Sequence, residues 1–97
     1  MEQRLTAVLA TDVVGYSKLM GADQAATLAA LRSLRGEIFS PCVSRHGGKT
    51  VKSMGDGWIV TFASAVDAVT CAMRLQDKMV NEPDIRLRMG IHLGDII

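Results

Sequence analysis

The sequence predicts an α+β domain with elements in the order β-α-β-β-α-β, a four-stranded antiparallel sheet with two main helices on one face. Three observations lead there. Residues 4–12, 49–53, 58–62 and 85–92 are short runs of alternating or β-branched character and read as strands. Apolar residues recur at helical spacing after Asp23 and again after Ser64. Gly55-Asp56-Gly57 separates the two middle strands by so little that only a hairpin can join them. This order of elements is the split βαβ, or ferredoxin-like, arrangement.

The first strand, Arg4 to Asp12, puts Leu5, Ala7 and Leu9 on one side and Thr6, Val8 and Ala10 on the other. Neither side is strongly polar, which predicts a central position in the sheet. Gly15 then allows a tight bend, and a short helix begins at Tyr16 or Ser17. A bend of this kind reads either as an ordinary strand-to-helix turn or as an anion site with exposed amides. Gly21-Ala22 marks a break, with Asp23 as the N-cap of a longer helix carrying Leu28, Leu31, Leu34 or Arg35, Ile38 and Cys42. Pro41 is expected to end or bend that helix, and His46-Gly47-Gly48 to stop it. His46 reads as a surface residue complementing the helix dipole.

Lys49 to Ser53 and Trp58 to Phe62 form the hairpin, and Gly55 and Gly57 are expected to supply positive φ angles at its tip. Ser64 opens the second long helix in a capping-box-like run with Asp67. Ala65, Ala68, Val69, Ala72, Leu75 and Met79 make its apolar stripe, Met73 and Met79 read as core filler, and the helix ends near Asn81-Glu82-Pro83. In the last strand Ile85, Leu87, Met89 and Ile91 point inward while Arg86, Arg88, Gly90 and His92 point outward, the arginines solvated or lining an interface. Leu93-Gly94-Asp95 is expected to turn and start a further apolar run. A domain seldom stops two residues into a strand, so residues 1–97 are expected to be the N-terminal portion of a longer one.

Bulk properties narrow the function. The chain has 97 residues, enough for one domain with a modest core. A net charge of +1 gives no electrostatic case for nucleic acid or an anionic membrane surface. No apolar run has the length of a membrane span, and Met1-Glu2-Gln3-Arg4 does not open a signal peptide, so a cytoplasmic location is expected. Cys42 and Cys71 read as buried thiols in a reducing compartment.

The predicted topology sets the first and third strands side by side and antiparallel. Asp12, ending one, and Asp56, preceding the other, then meet at one edge of the sheet. Asp56 alone reads as a turn former. Paired with Asp12, two carboxylates at close range call for a cation between them, and hard divalent ions with oxygen ligands fit.

Three stretches carry a family resemblance. Thr11-Asp12-Val13-Val14-Gly15-Tyr16-Ser17 resembles the D-[IV]-V-G-[FY]-[ST] motif of class III nucleotidyl cyclases. Lys52-Ser53-Met54-Gly55-Asp56-Gly57 is similar to the K-x-x-G-D-[GA] hairpin of that family, and Arg88-Met89-Gly90-Ile91-His92-Leu93-Gly94 to its R-[IVM]-G-I-[HN]-x-G strand. The motifs come in the family's order, and its core fold is ferredoxin-like.

The resemblance implies an adenylate cyclase making 3′,5′-cyclic AMP and pyrophosphate from ATP for signal transduction. Asp12 and Asp56, with the carbonyl of Val13, would hold two Mg²⁺ or Mn²⁺ ions. One ion would lower the pKa of the ribose 3′-hydroxyl and the other would anchor the triphosphate. Amides of Val14, Gly15, Tyr16 and Ser17 would cradle phosphate. Lys52 would donate to the purine in a site whose aspartates come from the other subunit of a homodimer. Two departures matter. The family's domain is about twice as long, and its transition-state asparagine and arginine fall beyond Ile97, so this portion alone should be nearly inactive. Asp95 stands where some members carry a phosphate-binding arginine. A rival reading is a non-catalytic ferredoxin-like dimerisation or nucleotide-sensing module. A weaker one is another two-metal phosphoryl enzyme such as a polymerase palm or diguanylate cyclase, against which the lysine before Gly55-Asp56 counts.

Overall fold

A computed structural model describes residues 4–82 and 84–96, with only the backbone for Arg4, Leu5, Asp95 and Ile96. The strands are β1 (Arg4–Val13), β2 (Lys49–Met54), β3 (Gly57–Phe62) and β4 (Leu87–Ile96). The helices are α1 (Tyr16–Ala22), α2 (Gln24–Leu34), α3 (Ser40–Arg45) and α4 (Ala65–Met79), with a π-helical turn at Arg35–Phe39 joining α2 to α3. The sheet order is β2-β3-β1-β4 with every neighbouring pair antiparallel, the expected ferredoxin-like topology.

Alternation along β1 decides the layers. Ala7, Leu9, Thr11 and Val13 are buried together with Trp58, Val60 and Phe62 of β3. Against them lie Leu31, Leu34, Phe39, Cys42 and Val43 from the first helical stretch and Ala68, Cys71, Leu75 and Met79 from α4. Phe39 stacks on Trp58 with ring centroids 4.4 Å apart. The opposite side of the sheet carries the half-buried Asp12 and the exposed Arg88 and His92, and none of the described helices covers it.

Local chemistry places the helices. Asp23 accepts from Ala26 N–H at 3.0 Å and Ser64 from Asp67 N–H at 3.1 Å, as N-caps do. Gly47, at φ +71°, ends α3 in the left-handed conformation that glycine tolerates.

Several expectations are corrected. Pro41 does not end the helical stretch, which is distorted there rather than stopped. It sits in the first turn of α3, and the turn before it widens so that Ser40 N–H donates to the carbonyl of Arg35, five residues back. The extra residue puts Phe39 into the core and leaves Ile38 only half-buried. On α4, Cys71 is buried while Val69 and Met73 are exposed, so Met73 is not core filler. Ile85 is buried ahead of β4 rather than within it. Leu93-Gly94 does not turn: β4 runs on to Ile96 because the ten residues of β1 offer partners that far, Thr6 opposite Gly94 and Arg4 opposite Ile96. The apolar run expected to begin after a turn is therefore the end of β4 itself, paired with β1.

Gly55 and Gly57 also serve differently than expected. Among the described glycines only Gly15 and Gly47 have positive φ. At Gly57 a Cβ would run into the Thr11 carbonyl oxygen and lie 3.1 Å from Asp12 Cα, so glycine is there to let β3 approach β1. At Gly55 a Cβ would meet the Tyr16 hydroxyl at 3.1 Å, so the ring beside the Gly15 bend lies against the hairpin tip.

Candidate active site at the end of strands one and three

The β1–β3 register sets Asp12 opposite Gly57, directly beside Asp56. Val13 N–H donates to the Asp56 carbonyl at 2.7 Å and locks the hairpin turn onto the end of β1. Asp56 is exposed and Asp12 half-buried with its carboxylate reaching solvent, and the backbone brings the two positions together at one end of the sheet.

The Asp12 carboxylate has a partner in an arginine expected to be solvated or to line an interface. Arg88, opposite it on β4, donates Nε to Oδ1 at 2.9 Å and Nη2 to Oδ2 at 3.0 Å. The two hydrogen bonds, with the guanidinium charge behind them, hold the Asp12 carboxyl below its ordinary range despite some desolvation, and the same contacts raise Arg88. Counting register from the strand ends would have paired these residues, since outward positions of β1 and β4 face one another.

The Gly15 bend follows at once. Gly15 is left-handed, at φ 66° and ψ 32°, and caps α1. Val14 N–H is already committed to the Arg86 carbonyl at 2.9 Å. That removes Val14 from the expected set of four phosphate-binding amides in this conformation. Tyr16 and Ser17 lie in the first turn of α1, where N–H groups have no intrahelical acceptor.

Lys52 reaches its position through a β-bulge. Thr50 pairs with Val60 but Lys52 pairs with Ile59, so Val51 is an extra residue in β2. An unbulged strand would set Lys52 opposite Trp58, on the helix side. The bulge turns it to the open side, in the row of Ile59 and Ala10, one row from Asp12. Between Ala10, Asp12 and Ile59 lies a shallow hollow of about 400 Å³, also lined by Met54, Arg88 and Gly90 among others. The Asp95 side chain lies outside the described residues, as does Pro83.

Fold and site together define a nucleotide-cyclase type of domain: a ferredoxin-like sheet with two acids on adjacent strand ends, a glycine bend behind the first and a tight hairpin around the second. Comparison with known proteins agrees. No protein-family profile matches the chain. A Rhizobium meliloti protein named "Putative adenylate cyclase 3" is 42% identical over 104 residues, covering all of this chain and 18% of that protein. The crystal structure of an adenylate/guanylate cyclase/hydrolase from Silicibacter pomeroyi superimposes with a TM-score of 0.86 at 36% identity, over 98% of this chain and 59% of the other. The guanylate cyclase domain of RhGC from Catenaria anguillulae, at 16% identity and a TM-score of 0.87 over 100% and 60% of the two chains, shares the fold. The chain belongs to the class III adenylate/guanylate cyclase domain family. It spans about a fifth of the curated relative and under two thirds of the solved ones.

Proposed function

We propose that this chain is the N-terminal, metal-binding portion of an adenylate cyclase catalytic domain, acting as a homodimer on ATP. The observation that supports this most is the β1–β3 register, which sets Asp12 beside Asp56 with both acids open to solvent. Two exposed carboxylates and a neighbouring main-chain carbonyl, that of Val13, are hard oxygen donors suited to Mg²⁺ or Mn²⁺. Bound there, such ions supply electrostatic stabilisation of the triphosphate and acidification of the ribose 3′-hydroxyl.

In the reaction, the 3′-oxygen forms a bond to the α-phosphorus, the bond from that phosphorus to the bridging oxygen breaks, and pyrophosphate leaves with the bridging oxygen. The hydroxyl proton passes to solvent. The chain's own residues prepare this. Arg88 keeps the Asp12 carboxyl ionised and oriented, and the two oxygens it holds are the ones Asp12 would offer to a cation. The amides of Gly15, Tyr16 and Ser17 face the phosphates, with Val14 joining only if its bond to Arg86 opens. Lys52 donates to the purine, favouring adenine. Lys52 is two strands and one row from Asp12, on the order of 10 Å. That separation supports the reading in which Lys52 serves a site whose aspartates belong to a second copy packed on the uncovered side of the sheet.

The intact protein is incubated with ATP or GTP and Mn²⁺, and products are separated by chromatography. Cyclic AMP should form from wild type, be lost in Asp12→Asn and Asp56→Asn, and give way toward cyclic GMP in Lys52→Glu. Absence of any cyclic nucleotide, with no metal-dependent ATP binding by calorimetry, would favour the non-catalytic dimerisation module instead.

A further inference from the structure

On the helical side of the sheet, away from Asp12 and Asp56, three side chains with soft or borderline ligand atoms converge. Cys42 and His46 are one helical turn apart at the end of α3, so both lie on the same side of it. Cys71 comes from α4, and its backbone carbonyl accepts from the Cys42 thiol at 3.8 Å. The sulfur atoms are 4.0 Å apart, Cys42 Sγ is 3.9 Å from His46 Nδ1, and one ligand atom from each of the three residues lies within 4.8 Å of the others.

We propose that Cys42, Cys71 and His46 form a binding site for a thiophilic divalent cation, zinc above all, independent of the nucleotide site. The spacing is what supports this. With Zn–S near 2.3 Å and Zn–N near 2.0–2.1 Å, a tetrahedron has edges of roughly 3.6–3.8 Å. Two edges, sulfur to sulfur and Cys42 Sγ to His46 Nδ1, are within a few tenths of an ångström of that, and since all three ligand atoms lie within 4.8 Å of one another a cation would draw them together by about an ångström at most.

Burial supplies the second part of the argument. Cys42 and Cys71 are 3% and 0% exposed, while His46 is half-buried at the rim. A cation can therefore enter from the histidine side and complete its fourth position with water. Burial, and then the neighbouring Cys42, pushes the Cys71 thiol up to about 12, so without a cation it is a neutral thiol and a poor nucleophile. His46 is already oriented: its Nδ1 sits 2.8 Å from the Cys42 carbonyl and donates to it, which leaves Nε2 with the lone pair. Coordination through Nε2 keeps that hydrogen bond as an orienting contact, and coordination through Nδ1 exchanges it for the metal. A disulfide would have no use for the imidazole, and its sulfurs would have to close to about 2.05 Å.

The test uses the intact protein, fully reduced and stripped of metal, titrated with Co²⁺. One equivalent should bind with sulfur-to-cobalt charge-transfer absorption and the intense visible bands of tetrahedral cobalt, and Zn²⁺ should bleach both. Asp12→Asn/Asp56→Asn should leave the charge-transfer band intact, because oxygen-only sites cannot give it; this separates the proposal from the nucleotide site. Cys71→Ser should abolish the band. Should that variant unfold, His46→Ala, at the half-buried rim, should weaken cobalt binding at least tenfold while circular dichroism stays native. Absence of the band in reduced wild type overturns the site, and so does a band of unchanged strength and affinity in folded Cys71→Ser or His46→Ala.

Discussion

Replacing Gly57 with alanine tests how the site is held. The added Cβ falls against the Thr11 carbonyl oxygen, and Asp12 Cα is 3.1 Å away. These are backbone atoms of the central strand, so the obstacle cannot swing aside as a side-chain tip would. Overpacking of this kind costs about 1–3 kcal/mol, and the rigid neighbours argue for the upper half of that range. At roughly 4–8 °C per kcal/mol for a domain of this size, the melting temperature should fall on the order of 10–20 °C. The relief available to the variant is to part β1 from β3 at the row where Asp12 sits, so metal-dependent nucleotide binding should weaken even well below the melting transition. Thermal denaturation followed by circular dichroism, with calorimetric titration of Mn²⁺-ATP at low temperature, reads both effects. Gly21→Ala is the contrast. It lies in α1 with nothing within 4 Å of its added Cβ, and should stabilise by about 0.4–1 kcal/mol. If Gly57→Ala melts with wild type, the close approach of the two strands is not what demands glycine there.

Arg88→Gln should return the Asp12 carboxyl toward its ordinary pKa, read by NMR titration. Because the folded value is the depressed one, the pair's contribution is complete above the ordinary carboxylate range and is lost as pH falls through the folded value. The same variant should bind Mn²⁺ severalfold more tightly, since no guanidinium then competes for Oδ1 and Oδ2; unchanged Asp12 titration would refute the pairing. Ser64→Ala removes the cap of α4 and should cost about 1 kcal/mol, seen as a lower denaturation midpoint at unchanged slope.

Period and turn chemistry made most of the fold legible. The alternation in β1 and the caps at Asp23 and Ser64 are local facts written in residue type, and the strand order follows from the element order. What escaped was set by tertiary contacts. Nothing in Gly55-Asp56-Gly57 distinguishes a glycine needed for φ from one needed for space; only the proximity of β1 decides it. The shift from Ile38 to Phe39 was visible as a five-residue step between Leu34 and Phe39, but a straight helical wheel favours Ile38. The length of β4 depends on how far β1 extends alongside it, which a glycine within the strand conceals. At the site, the meeting of Asp12 and Asp56 could be read from topology, whereas the commitment of Val14 to Arg86 and of Asp12 to Arg88 needed the register of β4.

The bulge at Val51 makes the side on which Lys52 projects a matter of chain length rather than residue type. Substitutions at Lys49 or Thr50 leave that side unchanged, and so does losing Val51, which removes the bulge with Lys52 still opposite Ile59; losing Ser53 instead would set the lysine over Trp58. With Ser53 lost, Met54 keeps its place opposite Gly57, so the tip that carries Asp56 would stay where it is. A one-residue deletion in this edge strand can thus withdraw the lysine proposed to read the base without disturbing the acids, a change that no list of point substitutions contains.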